Sequence, residues 1–164
     1  MDIKLEKLNL KHAKNLSICL NDKEVLKTLH DIQYPFTLNA SKKHIQESMH
    51  NKDKYEFAII LENKLVGGIV LENPNSNKKI FEVGYYISRP YWGKGIATEA
   101  LKILSKYAFN TLKLRKIWAG IISHNPASGR VLEKAGFKLE GRQEKHIFKN
   151  NRYYDELSYG LLRP

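Results

Sequence analysis

The amino-acid sequence predicts an α+β protein whose mixed central sheet has about seven strands flanked by helices. Two β-rich runs at residues 55–62 and 64–72 predict a hairpin. A strand, a glycine turn, an amphipathic helix and an apolar strand follow between residues 79 and 123, which predicts a crossover unit. Because the 164 residues contain no repeat or linker and can bury one core, we expect a single domain spanning residues 1–164.

The first third of the chain is predicted to be rich in helix. Apolar residues from Ile3 onward suggest a first strand, and their later spacing predicts helices over residues 10–20 and 22–29. After a loop at residues 33–39, Ser41 is expected to cap the N-terminus of a further helix.

The middle of the chain predicts a three-stranded antiparallel meander. The hairpin formed by residues 55–62 and 64–72 turns at residues 62–64. A polar stretch at residues 72–79 marks a second turn, and residues 79–88 form the third strand.

Helix signals and apolar runs predict the helices and strands of the last third of the chain. Apolar residues recur at helical spacing over residues 95–112, and residues 116–123 are almost all apolar at their centre, as in a strand buried on both faces. Asn125 followed by Pro126 predicts the start of a short helix. The chain closes in a long hairpin, with strands at residues 137–148 and 152–162.

The charge and composition restrict the classes of function. The net charge of +11 is spread along the chain with no run of Lys or Arg longer than two, so it gives no support to nucleic-acid binding, which remains an alternative. The single Cys19 and the dispersed histidines predict no metal site. No apolar run approaches a membrane span and no signal peptide is recognisable, so we expect a cytoplasmic protein.

The segment RPYWGKGIATEA, residues 89–100, carries the clearest functional pattern. Gly93 and Gly95 let a ligand approach the backbone, and the helix that follows offers unpaired N–H groups and a positive dipole end to a diphosphate. Lys94 adds a cation and Thr98 a hydroxyl. A tight strand-to-helix turn without a ligand would explain the two glycines equally well.

The segment YWGKGIATEAL, residues 91–101, resembles the cofactor-binding motif of the GNAT acyltransferase superfamily, in particular its branch of ribosomal-protein-alanine N-acetyltransferases. The resemblance extends to residues 81–88, 125–137 and 140–162, in the same order and spacing. It implies the GNAT fold, in which the strands at residues 82–88 and 116–123 splay apart, and it implies acetyl-CoA as cosubstrate, with no metal.

The resemblance also implies which residues hold acetyl-CoA. Main-chain groups of Tyr86, Ile87 and Ser88 would pair with the pantetheine arm, and Asn125 and Ser128 would lie beside that arm. The pyrophosphate would be surrounded by a contiguous set: Trp92, Gly93, Lys94, Gly95, Ile96, Ala97 and Thr98.

The residues expected to transfer protons match the family pattern less closely than the cofactor-binding residues do. Many relatives place a tyrosine acid seven residues after the asparagine, where this chain has Leu132, so Ser128 is the substitute that the resemblance suggests. Relatives in the ribosomal branch place a glutamate base where this chain has Ile147. Glu82 is therefore the first candidate base, and Glu144 and His146, expected to share one face of their strand, are the next; ordinary surface roles would also explain them.

The acceptor is the least constrained part of the prediction. Tyr34 and Phe36 lie in the loop that walls the acceptor pocket in relatives, although they could equally cap the core. The resemblance implies transfer of acetyl from acetyl-CoA to a primary amine, either a protein N-terminal α-amine or a small-molecule amine. A CoA-binding sensor without catalysis and a basic nucleic-acid-binding module are the alternatives, and dimerisation stays open.

Overall fold

The computed structural model describes residues 1–29 and 32–164, in which seven strands form one mixed sheet in the order β1-β2-β3-β4-β5-β7-β6. The α+β prediction with about seven strands is confirmed. The strands are β1 Ile3–Lys7, β2 Tyr55–Leu61, β3 Lys64–Glu72, β4 Ile80–Ile87, β5 Lys116–Ile122, β6 Lys138–Lys149 and β7 Arg152–Leu162. The α-helices are α1 Ala13–Leu20, α2 Lys23–Leu26, α3 Leu38–His50, α4 Ile96–Asn110 and α5 Pro126–Lys134, and short 3-10 turns lie at Leu10–His12 and Arg89–Tyr91.

The helices on the first face of the sheet begin at polar caps. The predicted helix at residues 10–20 is a 3-10 turn that leads into α1, and α2 is shorter than predicted. The expectation that Ser41 caps α3 is wrong, because the Thr37 side chain accepts a hydrogen bond from the Ala40 N–H at 3.1 Å and starts the helix earlier. Ser41 is instead buried, and its hydroxyl donates to the Ala13 carbonyl at 2.8 Å, which joins α3 to α1.

Each face of the sheet is covered by its own hydrophobic cluster. The α4 face, covered by α4 and α5, buries Leu101, Leu104 and Ile117 completely. The α1–α3 face, covered by α1 to α3, buries Leu16 and Ile45. Truncating one such leucine to alanine costs roughly 2–5 kcal/mol, so both faces contribute strongly to stability.

The central strands β4 and β5 separate soon after they begin. They are paired in parallel only from Ile80–Lys116 to Glu82–Trp118, whereas β5 continues beside β7 as far as Ile122. The predicted splay is therefore confirmed. We call the gap between residues 83–87 and residues 119–122 the wedge.

The closing hairpin contains an irregularity that the sequence pattern did not reveal. The register of β6 against β7 shifts between Gln143 and Ile147, and Lys145 has a positive φ of 48°. The expected sharing of one strand face by Glu144 and His146 is wrong for this reason, since a bulge breaks the two-residue alternation. Asp155 fastens the bulge by accepting from the Lys145 N–H at 2.9 Å.

Candidate active site

The glycine turn before α4 has the open backbone that an anion site needs. Gly93 and Gly95 have positive φ angles of 73° and 77°, which side-chain-bearing residues adopt at a cost. α4 begins at Ile96, and its N-cap residue Gly95 offers no side chain to the first N–H groups. Nothing lies within 4 Å of the place where a Cβ on Gly93 would stand. The free N–H groups and the helix dipole therefore fit a diphosphate.

The side chains around this turn contribute less than its backbone. The Lys94 ammonium lies 5.2 Å from the centre of the Tyr91 ring, on the solvent side. Ile96 and Thr98 are buried, so the Thr98 hydroxyl, which was predicted to contribute to the site, has little access to a ligand at this turn. Trp92 lines the cavity described below, and its Nε1 donates to the Ile87 carbonyl at 2.7 Å.

The main chain of β4 offers the wedge a different set of groups from the one expected. The Ser88 N–H donates to the Val66 carbonyl at 2.8 Å, and the Ser88 carbonyl accepts from Tyr91 at 2.9 Å. The direction of main-chain groups alternates along an antiparallel ladder. The main-chain groups of Tyr86 therefore also point to β3, while those of Tyr85 and Ile87 point to the wedge. Of the three residues expected to pair with pantetheine, only Ile87 has the required orientation.

One cavity of about 780 Å³ connects the wedge with the α1–α3 face. Gly84 and Gly120 line the cavity from the two strands that border the wedge. Four glutamates and two lysines line the cavity, so it carries an excess of negative charge inside a chain whose net charge is +11. Its charged residues are Glu24, Lys27, Lys54, Glu56, Glu72 and Glu82.

The first turn of α5 meets a tyrosine from β4 at the wedge. Asn125 caps α5 by accepting from the Ser128 N–H at 3.3 Å, and the Tyr85 hydroxyl lies 3.3 Å from Ser128 Oγ. Burial raises the pKa of Tyr85 to about 12, although the hydrogen bond with Ser128 opposes the rise. Leu132 is fully buried. Tyr85 was not singled out from the sequence. The available signal was its place two residues after Val83, at an alternate position of the strand that faces the core.

Glu82 lines the cavity, whereas the other candidate bases do not. Its carboxylate accepts from the Asn73 side-chain amide at 2.8 Å, and Glu82 lies directly opposite Glu72 on β3. Glu144 and His146 are exposed on the bulged part of β6, and neither is among the residues that line the cavity.

A second charged group on the α1–α3 face was not predicted from sequence. His44 Nε2 lies 2.8 Å from Glu56 Oε1, and Lys54 Nζ lies 3.5 Å from Glu56 Oε2 and 3.2 Å from Glu72. Burial raises the pKa of Glu56, but His44 and Lys54, with the nearby Ser48 hydroxyl, outweigh it and hold the pKa below its ordinary value. The available sequence signal for this group was Glu56 itself, a glutamate at an inward-facing position of an otherwise apolar strand.

The two residues expected to wall an acceptor pocket, Tyr34 and Phe36, lie outside the cavity lining. Phe36 is buried against the α1–α3 cluster, with its ring centre 6.4 Å from that of His44, so it caps the core. Tyr34 is 52% exposed, and the Lys23 ammonium lies over its ring at 4.8 Å. Neither residue lines the cavity, whose wall on this side comes from Glu24, Lys27, Thr28, Leu29 and Ile32.

A lysine from the distant hairpin holds this wall. Lys149 Nζ donates to the carbonyls of Leu26, Lys27 and Leu29 at 3.3, 2.6 and 2.7 Å. Burial lowers the pKa of Lys149. The hairpin and this part of the cavity wall, about 120 residues apart in the chain, are therefore joined directly by hydrogen bonds.

Three further features of the described residues concern metal binding, the cysteine and membrane crossing. Residues 1–29 and 32–164 contain no group of three or more His, Cys, Asp and Glu side chains placed to bind a metal. Burial raises the pKa of Cys19 to about 11, which keeps its thiol protonated at neutral pH. Within the same ranges, none of the helices combines the length and apolar character needed to cross a membrane.

Comparison with known proteins agrees with this geometry. The family model described as "Acetyltransferase (GNAT) domain" matches residues 2–138. The chain belongs to the GNAT acetyltransferase family. It is 32% identical over 145 residues to the SPbeta prophage-derived uncharacterized N-acetyltransferase YokL of Bacillus subtilis, which covers 87% of this chain and 80% of that relative. A crystal structure of a GNAT-family acetyltransferase from Bacillus anthracis superposes with a TM-score of 0.89 at 30% identity, over 99% of this chain and 96% of that one.

The names of two further relatives indicate different acceptors. The putative ribosomal N-acetyltransferase YdaF of Bacillus subtilis is 32% identical over 66% of this chain and 59% of its own length. The spermidine N(1)-acetyltransferase of Escherichia coli is 26% identical over 91% of this chain and 78% of its own length. The family and the open wedge together identify the chain as an acyl-CoA-dependent N-acyltransferase.

Proposed function

We propose that the chain transfers the acetyl group of acetyl-CoA to a primary amine of a cationic acceptor. The observation that carries this proposal is that one cavity joins the wedge, lined by Tyr85 and Ser128, to the carboxylate-bearing face, lined by Glu72 and Glu82. A thioester in the wedge and an amine on that face would share a single space. Gly93 and Gly95, with the free N–H groups of α4, would hold the pyrophosphate of the cosubstrate.

The charge of the cavity supports a cationic acceptor. An excess of carboxylates attracts protonated amines and disfavours acidic molecules, even though the surface as a whole is basic. The spermidine acetyltransferase among the relatives is consistent with a small polyamine. The putative ribosomal acetyltransferase is consistent with a protein N-terminus, which remains the second acceptor class.

The bound amine must lose a proton before it attacks, because an alkyl ammonium has a pKa of about 10.4 and an α-ammonium about 8. Glu82 lines the cavity beside the end of the paired part of β4, and we assign it the role of base, directly or through water. Glu144 and His146 remain weaker candidates because both lie outside the cavity lining.

The test is acetyl transfer to a library of N-terminal peptides, polyamines and aminoglycosides, read by mass spectrometry and by release of free CoA. We expect one cationic class to be acetylated in preference to the others. If CoA binds but no acceptor is acetylated, the chain is a CoA-binding sensor. If nucleic acid binds with a steep salt dependence and CoA does not bind, the nucleic-acid alternative replaces the proposal.

A further inference from the structure

The position at which relatives carry a tyrosine acid is closed in this protein. Leu132 is fully buried in the cluster on the α4 face, so α5 presents no acidic group from that site. Departure of CoA as a thiolate nevertheless requires a proton donor or a solvent substitute. A protein donor must therefore come from a position other than residue 132.

Tyr85 on β4 meets this requirement from the opposite side of the wedge. Its hydroxyl lies 3.3 Å from Ser128 Oγ and 3.4 Å from the Ser128 carbonyl, so the phenol extends from β4 to the first turn of α5. Both contacts are longer than a strong O–H···O hydrogen bond, which is about 2.7 Å. Tyr85 also lines the cavity that joins the wedge to the carboxylate-bearing face.

We propose that the Tyr85 hydroxyl donates the proton to the departing CoA sulfur. The inference rests on the proposed function. As the amine nitrogen forms its bond to the acetyl carbon and the carbon–sulfur bond breaks, the sulfur takes the Tyr85 proton and the amine loses its proton to Glu82 or water. The phenolate then regains a proton from water in the cavity, directly or relayed through the Ser128 hydroxyl, and that water takes up the proton that the amine released. The net result is transfer of one amine proton to the CoA thiol.

The other polar groups of the cavity fit this role less well. Lys54 is held between Glu56 and Glu72, and these carboxylates raise its pKa against the effect of burial. The ring of His124 packs against Tyr154 at a tilt of 47°, with ring centres 4.6 Å apart. A serine hydroxyl is a weaker acid than a phenol, so Ser128 is better suited to relay a proton from water to Tyr85 than to supply the first one.

The kinetic test compares Tyr85→Phe with Tyr107→Phe. Tyr107 is a matched control because it carries a phenol on the same face of the sheet but contacts Tyr55 and Phe57 away from the cavity. We expect Tyr85→Phe to lower kcat by about a hundredfold or more with little change in the KM for acetyl-CoA, and Tyr107→Phe to behave as the unchanged protein. A ring-fluorinated tyrosine at residue 85, which is a stronger acid, should restore kcat, since it restores the donor.

A binding measurement separates proton donation from a structural role. At pH 8.5, where roughly half of a free thiol is ionised, the affinities for CoA and for desulfo-CoA are measured by calorimetry. The unchanged protein should bind CoA more tightly than desulfo-CoA, and Tyr85→Phe should lose this preference. A kcat loss with the preference intact would overturn the assignment, as would a kcat within about twofold of the unchanged value. If the unchanged protein acetylates no amine, the proposed function itself fails.

Discussion

The two ends of the cavity are built in different ways. The proposed cosubstrate end consists mainly of backbone groups of the wedge strands and of residues 125–128, and the glycine turn at residues 92–98 lies beside it and reaches the cavity lining through Trp92. The acceptor end consists of side chains from α2, α3, β2, β3 and β4, held by ion pairs and by a lysine from β6. The first end therefore depends on local conformation and the second on tertiary packing, so substitutions at the two ends should affect different kinetic constants.

The largest effect is expected at the cosubstrate end. Gly95→Asp places a negative charge at the N-terminus of α4, where the diphosphate would bind, and should weaken acetyl-CoA binding by about a thousandfold, roughly 4 kcal/mol. Gly95→Asn is the matched control, because it has the same shape and the same positive-φ strain without the charge. Calorimetry measures both affinities. Equal losses in the two variants would indicate strain and not anion binding.

A somewhat smaller effect is expected where the two ends meet. Glu82→Gln should lower kcat by about a hundredfold while leaving the affinity for acetyl-CoA unchanged, because it removes the base and keeps the shape. Glu99→Gln, on the exposed surface of α4, should leave kcat unchanged. Steady-state kinetics with the best acceptor distinguishes them, and an unchanged kcat in Glu82→Gln would move the base to water or to another residue.

The acceptor end should respond to a change far from it in sequence. Lys149→Met removes the donor that holds the carbonyls of Leu26, Lys27 and Leu29, and should raise the acceptor KM by about fivefold, roughly 1 kcal/mol. The KM for acetyl-CoA should not change. Lys138→Met, at the exposed start of the same strand, is the control. A rise in both KM values would contradict the division between the two ends.

The smallest effect concerns acid stability. The pKa of Glu56 is lowered in the folded state, so its contribution to the free energy of unfolding is fully present above the unfolded pKa and is lost as the pH falls through the folded pKa. Below about pH 4.5 the unchanged protein should lose stability more steeply than Glu56→Gln. Urea unfolding between pH 3 and pH 7 measures the difference. Parallel curves would show that the pKa of Glu56 is the same in both states.

These differences explain how much the sequence predicted. The meander and the turn at Gly93 and Gly95 follow from local patterns, whereas the splay of β4 from β5 was implied by the family resemblance, and the structure contains all three. The positions of Ser41 and Phe36 did not follow, because burial against α1 overrode the cap and loop signals. Tyr85, Glu56 and Lys149 could not be ranked from sequence, since each acquires its importance from a partner more than ten residues away.

The short junction between β4 and β5 has a mechanical consequence. Within the sheet, three ladder pairs, from Ile80–Lys116 to Glu82–Trp118, join the β1–β4 half to the β5–β7 half. Such a seam should open at a lower free energy than global unfolding, and the amides of Val83, Tyr85 and Ile87 beside it should exchange hydrogen faster than those deep in the ladders. A cosubstrate that forms hydrogen bonds with this edge of β4 would hold the two halves of the sheet together. The carboxylate-bearing face would then reach its final shape only after the cosubstrate is bound, which favours binding of acetyl-CoA before the amine.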